Sequence, residues 1–98
     1  MDGPVQYMVK APRSSELVAW LGFNGVLPGD VPYPSRIFVE TEDGAEWVIR
    51  YEAYARSGSG RLKYDLATET FEYVECRAPL AYDPPMWWLT QTAPSPER

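Results

Sequence analysis

The chain has 98 residues, enough for one domain and one core, in which about 60 to 70% of the unfolded surface is buried. A hydrophobic fraction of 45%, an aromatic fraction of 14% and a net charge of -5 exclude a disordered polyampholyte. Nine basic against fourteen acidic residues disfavour direct binding to nucleic acid, because attraction to phosphate is the main sequence-independent term there.

No apolar run approaches the length of a membrane span, and Met1-Asp2-Gly3-Pro4 lacks the basic flank and apolar stretch of a signal peptide. The expectation is a cytoplasmic protein without membrane contact. A lone Cys76 cannot form an internal disulfide and suits a reducing compartment. Seven Arg against two Lys, with ten Pro, resemble the residue bias of GC-rich bacteria and their phages.

Residues 4–10 alternate as a short strand, with Val5, Tyr7 and Val9 on one face and Pro4 marking an edge or a strand start. Ser14 or Ser15 is placed to cap a helix running to about Leu21. Leu17, Trp20 and Leu21 would share its buried face, and Gly22 would supply a left-handed C-terminal residue. The segment 24–35, with Pro28, Pro32 and Pro34, reads as a loop.

Between Arg36 and Cys76, three hairpins satisfy the rule that apolar residues meet apolar residues across strands. A loop at Glu42-Asp43-Gly44, with Gly44 left-handed, pairs Val39 with Trp47 and Ile37 with Ile49. A second hairpin through 55–60 pairs Ala53 with Leu62, Tyr51 with Tyr64 and Ile49 with Leu66, and sets Glu52 by Lys63 and Arg50 by Asp65. A third pairs Tyr64 with Phe71 and Leu62 with Tyr73.

The predicted fold class is α+β: a four- to five-stranded antiparallel meander, one N-terminal amphipathic helix packed on its apolar face, and a C-terminal aromatic arm. One domain spans 1–92, with the arm at 79–92 and a disordered tail at 93–98.

Little catalytic chemistry is available. The chain has no histidine, hence neither the commonest general base nor the commonest transition-metal ligand. Cys76 has only the adjacent Arg77 as an activating neighbour and reads as a small core or edge residue, and Ser57-Gly58-Ser59-Gly60 lacks the Lys of a phosphate loop. Carboxylates are abundant at Glu40, Glu42, Asp43 and Glu46, but they match no metal loop and fall on a convex hairpin tip. No enzyme, cofactor or metal is therefore expected, and a carboxylate-dependent enzyme is the weakest reading.

The stretch Ser15-Glu16-Leu17-Val18-Ala19-Trp20-Leu21-Gly22 resembles the first helix of excisionase-type helix-turn-helix proteins. Pro28, Pro32 and Pro34 occupy the place of a second helix, and Glu40, Glu42 and Asp43 replace a basic wing, so the stretch reads as an ordinary amphipathic helix.

Asp83-Pro84-Pro85 can start a short helix through Met86, Trp87, Trp88 and Leu89. Adjacent helical residues point about 100° apart, so Trp87 and Trp88 should not fill the same part of one core. Either the arm completes the domain or at least one tryptophan meets a partner.

The expected function is a non-catalytic accessory or inhibitor protein. It would bind a protein partner or a second copy through Tyr82, Met86, Trp87, Trp88 and Leu89. The alternative is an acidic decoy that imitates nucleic acid through Glu40, Glu42, Asp43 and Glu46.

Overall fold

A computed structural model describes residues 3–32 and 36–92; the end of the expected loop and the tail 93–98 lie outside the described residues. It contains strands β1 (Val5–Val9), β2 (Phe38–Thr41), β3 (Val48–Tyr54), β4 (Tyr64–Asp65), β5 (Thr70–Phe71), β6 (Tyr73–Pro79) and β7 (Leu89–Thr92), with one helix, α1 (Ser14–Phe23). The class is α+β, with a five-stranded antiparallel sheet in the order β6-β3-β2-β1-β7 and a separate two-stranded ribbon β4-β5. No helix among the described residues is long and apolar enough to cross a membrane.

The helix starts two residues after Pro12. Arg13 occupies its N-cap in extended conformation without a side-chain cap, so neither Ser14 nor Ser15 caps it. It also runs past the expected end at Leu21, since Gly22 is helical and the left-handed residue is Gly25 (φ 80°). Val26 N–H donates to Leu21 O and Gly25 N–H to Gly22 O, both at 3.0 Å, which closes the helix in a Schellman motif. That turn returns Val26 (2% exposed) onto the core, so residues expected to be mere loop help fill it: Val31 is buried too.

Val9, Val39, Ile37 and Ile49 from the sheet, Trp20 and Leu21 from α1, Val26, Val31 and Trp88 form the buried cluster. The fully buried Leu21, Ile37 and Ile49 are each worth about 1.5 to 3 kcal/mol relative to exposure.

Strand order departs from chain order in two places. β1 lies between β2 and β7 rather than at an edge, with Tyr7 opposite both Val39 and Gln91. β3 pairs along its length with β6, so that Ile49 faces Ala78, Tyr51 faces Cys76 and Ala53 faces Val74. The expected partners Leu66, Tyr64 and Leu62 are therefore displaced from the sheet.

The cause is that residues 62–66 and 74–78 offer β3 the same apolar alternation, and β6 pairs over seven residues with hydrogen bonds continuing at both ends (Leu80 N–H to Trp47 O, 3.0 Å; Ala55 N–H to Glu72 O, 2.9 Å). Leu62, Tyr64, Leu66, Phe71 and Tyr73 consequently stand exposed on or beside the ribbon instead of lining the core. Arg50 is likewise not beside Asp65; it pairs with Glu40 and Glu75.

Two hairpins were closer to the expectation. Tyr64 does face Phe71, and Gly44 is left-handed at φ 81°. At that turn the register differs by two residues, with Val39 facing Ile49 rather than Trp47. A shift of two leaves every side chain on its expected face, which a shift of one would not.

Candidate binding groove

The C-terminal arm forms no helix beyond a single 3₁₀ turn. Met86–Trp88 make that turn, closed by Trp88 N–H donating to Pro85 O (3.0 Å), and Leu89 then enters β7. The Leu-Thr-Gln-Thr run has the alternation and β-branching of a strand, and β1 offers it an open edge.

The two tryptophans meet edge-on at 6.3 Å but differ in burial. Trp88 is 5% exposed and meets Trp20 edge-on at 6.4 Å, whereas Trp87 is 72% exposed. Met86 and Tyr82 also project, while Leu89 is partly buried against the core.

A polar clamp holds the arm in place. Asn24, buried at the helix end, accepts the N–H groups of Ala81 and Tyr82 on Oδ1, both at 2.8 Å. Its Nδ2 donates to Trp20 O (3.0 Å) and Tyr82 O (3.2 Å), and Trp20 Nε1 also donates to Tyr82 O (2.8 Å). One side chain thus satisfies four backbone groups of two segments that no local rule connects.

The clamped arm overhangs part of the sheet that α1 leaves open. A groove of 690 Å³ results, with Tyr7, Val39, Trp47 and Leu89 contributing from the sheet side and Leu80, Asp83, Pro84 and Met86 from the arm. The Tyr7 and Trp47 rings stack at 6.1 Å and 26°, presenting a broad aromatic surface. Of the residues predicted to bind a partner, Met86 and Leu89 line the groove, and Tyr82 and Trp87 are exposed on the same arm. Trp88 instead anchors the arm from below.

Tyr7 and Trp47 were not among the expected site residues. Only the placement of β1 and of the turn before β3 beside the arm brings them in, and no local motif carries that information.

The four acidic residues divide. Glu42, Asp43 and Glu46 line a smaller hollow with Thr41, Val48 and Arg77. Asp43 is used by the turn itself, accepting the N–H of Ala45 (2.8 Å) and Glu46 (3.2 Å) and the hydroxyl of Thr41 (3.2 Å). Those backbone N–H donors, Ala45 first, hold its carboxyl below the ordinary aspartate value.

Glu40 is not at the tip. It is 4% exposed on the sheet face opposite α1, where it accepts Arg50 Nε at 2.8 Å with Arg77 Nε at 3.8 Å. Around it Gln6 donates to Thr92 Oγ1 (2.9 Å), and the Arg50 guanidinium lies 4.3 Å over the Phe38 ring. Glu40 is thus held by arginines within the sheet and adds no exposed anion to this face.

No group of three or more His, Cys, Asp or Glu side chains able to hold a metal ion occurs among the described residues. Tyr51, across from Cys76, has its phenol pushed above the ordinary value by burial and then by Cys76 and Asp30. No family model, curated protein or solved structure matches the chain.

Proposed function

We propose that this is a non-catalytic accessory protein of the inhibitor type, of bacterial or phage origin, that works in the cytoplasm by seating a segment of a protein partner in the aromatic groove. The observation that carries the reading is the stacked Tyr7–Trp47 surface under an arm whose Met86 and Trp87 are 87% and 72% exposed. Exposed apolar surface of this kind, held on a rigid sheet and a clamped arm, is costly in a protein that binds nothing.

Tryptophan, tyrosine and methionine are the side chains enriched where proteins meet. Asp83 on the lip and the net charge of -5 favour a partner segment whose apolar side chains are flanked by Lys or Arg. The decoy reading has less support, because Glu40 is buried beneath two arginines and Asp43 is occupied within its turn.

The test compares proteins retained from a bacterial lysate by the immobilised wild type and by a Met86→Asp, Trp87→Asp variant. Loss of about 1.4 kcal/mol or more is tenfold in affinity. A specific partner should be lost from the variant by at least that factor, whereas raised salt, which screens only the flanking charges, should weaken it less than the variant does. A partner that the variant retains equally and that salt releases would refute the groove and favour an electrostatic surface.

A further inference from the structure

We propose that β6 is a self-association edge, through which two copies of the chain join their sheets across a two-fold axis at Cys76. The proposal does not depend on the groove, which involves other strands and the arm.

β6 is the outermost strand of the sheet beside β3. Its paired hydrogen bonds to β3 fall at even positions, as the bonds of Glu72 and Leu80 at either end of the ladder show. Alternation along an antiparallel strand then turns the N–H and C=O groups of Tyr73, Glu75 and Arg77, and the C=O of Pro79, away from β3. Among the described residues β6 has no strand neighbour but β3, and no turn or loop bond reaches these groups. The β4-β5 ribbon does not cover them, since Glu72 N–H donates to Lys63 O (3.0 Å) and Lys63 N–H to Ala55 O (3.0 Å), which places β4 on the β3 side of this strand. Among the described residues the edge thus stands open from Tyr73 to Arg77, with Pro79, which has no N–H to offer, closing its end, and native sheets rarely leave a strand of this length uncovered.

The occupant follows from charge and register. An antiparallel partner must set odd residues opposite odd residues for the outward groups to bond. If the partner is a second copy, a two-fold axis at Cys76 sets Glu75 opposite the partner's Arg77 and Arg77 opposite the partner's Glu75. Moving the axis by one residue in either direction instead sets Glu75 against the partner's Glu75, or Arg77 against the partner's Arg77. Opposite charges directly across an antiparallel pair are favourable and like charges are not.

The Cys76-centred register also sets Val74 against the partner's Ala78 on the apolar face, and Tyr73 against the partner's Pro79 on the other. Glu75 and Arg77 can reach a partner: their side chains are 53% and 51% exposed, and their contacts within one chain are long, 3.3 Å from Glu75 to Arg50, 3.8 Å from Arg77 to Glu40 and 3.6 Å between the two. Edge charges can also act only to repel other strands; the ordered opposition Glu75, Cys76, Arg77 is self-complementary instead.

Cys76 reports the register. Opposed residues of a non-hydrogen-bonded antiparallel pair have Cα atoms about 4.5 Å apart, inside the range of about 4.4 to 6.8 Å that a disulfide spans.

The experiment measures the mass of the full chain by light scattering after size exclusion over a range of concentrations, together with diamide cross-linking on non-reducing gels. Wild type should approach twice 11.2 kDa as concentration rises and give a Cys76-linked dimer. Glu75→Arg alone should weaken dimerisation at least tenfold and lose the cross-link, and Glu75→Arg with Arg77→Glu should restore both. Circular dichroism of each variant verifies folding, and cross-linking of wild type alone decides the matter if a variant misfolds. Wild type that stays monomeric at millimolar concentration without a cross-link overturns the proposal. So does a dimer indifferent to both charge changes, which would place the contact elsewhere.

Discussion

Replacing Trp88 with alanine should cost far more than replacing its neighbour Trp87, and the difference measures how the arm is built. Trp88 is 5% exposed within the cluster of Val9, Leu21 and Ile49, and its ring meets Trp20 edge-on. Truncating such a side chain costs about 3 to 5 kcal/mol through lost transfer energy and residual cavity. Total stability for a domain of this size is about 5 to 15 kcal/mol, so Trp88→Ala removes a large share of it. Trp87, at 72% exposed, should change stability by about 0.5 kcal/mol or less.

The buried indole Nε1–H of Trp88 has no hydrogen-bond partner among the described residues. Trp88→Phe therefore loses roughly 1 to 2 kcal/mol of apolar burial but recovers about 1 to 3 kcal/mol by deleting an unsatisfied donor, and should lie close to wild type. Urea denaturation followed by circular dichroism, with midpoints compared at constant m, gives all three values. Trp88→Ala within about 1 kcal/mol of wild type would refute the core assignment, and Trp88→Phe as damaging as Trp88→Ala would refute the argument from the orphaned donor.

Asn24→Leu should cost about 2 to 4 kcal/mol, since it leaves the N–H groups of Ala81 and Tyr82 without their acceptor. Hydrogen exchange at those two amides should accelerate more than exchange in β3. Glu40→Ala should destabilise by about 1 to 3 kcal/mol, because it takes from Arg50 (19% exposed) its shortest partner and leaves it only the longer ion pair with Glu75, discounted from a fully buried pair for that residual exposure. Glu75→Ala, at an exposed pair, should stay within about 0.5 kcal/mol in thermal or urea melts.

Asp43→Ala should lower the melting temperature at neutral pH, and the gap to wild type should close on acidification. A depressed carboxylate contributes stability above its unfolded pKa and loses it as pH falls through the folded one. A gap that persists below pH 2 would assign the effect to something other than the ionised turn.

Local features were readable in the sequence. The alternation of Val5, Tyr7 and Val9, the helix carrying Trp20 and Leu21, the left-handed Gly44 and the pairing of Tyr64 with Phe71 all depend on neighbours a few residues apart. Pairings between distant segments were not, because matching apolar to apolar accepts residues 62–66 and 74–78 equally as partners of β3. The decision between them rests on how far each ladder extends, a property of the assembled sheet.

The candidate site divides in the same way. An excess of apolar surface at Met86 and Trp87 is visible in the chain. Its counterpart at Tyr7 and Trp47 depends on how much of the sheet α1 leaves uncovered. Helical geometry implies different surroundings for Trp87 and Trp88, and the difference in burial arises in a single 3₁₀ turn followed by a strand.

The position of β1 has a kinetic consequence. One neighbour of this strand is β2, and the other is β7, joined through pairs such as Gln6 with Thr92, 86 residues apart. A nascent chain can form α1 and the turn at Gly44 while still emerging, but the row from β2 through β1 to β7 closes only after Thr92 has left the ribosome. Loop closure of that length is paid before its contacts form, which favours slow folding. Until then Trp20, Val9 and the aromatic residues that will pack beneath the arm stay wet, and the half-made sheet is open to other chains at the place where its own last strand belongs.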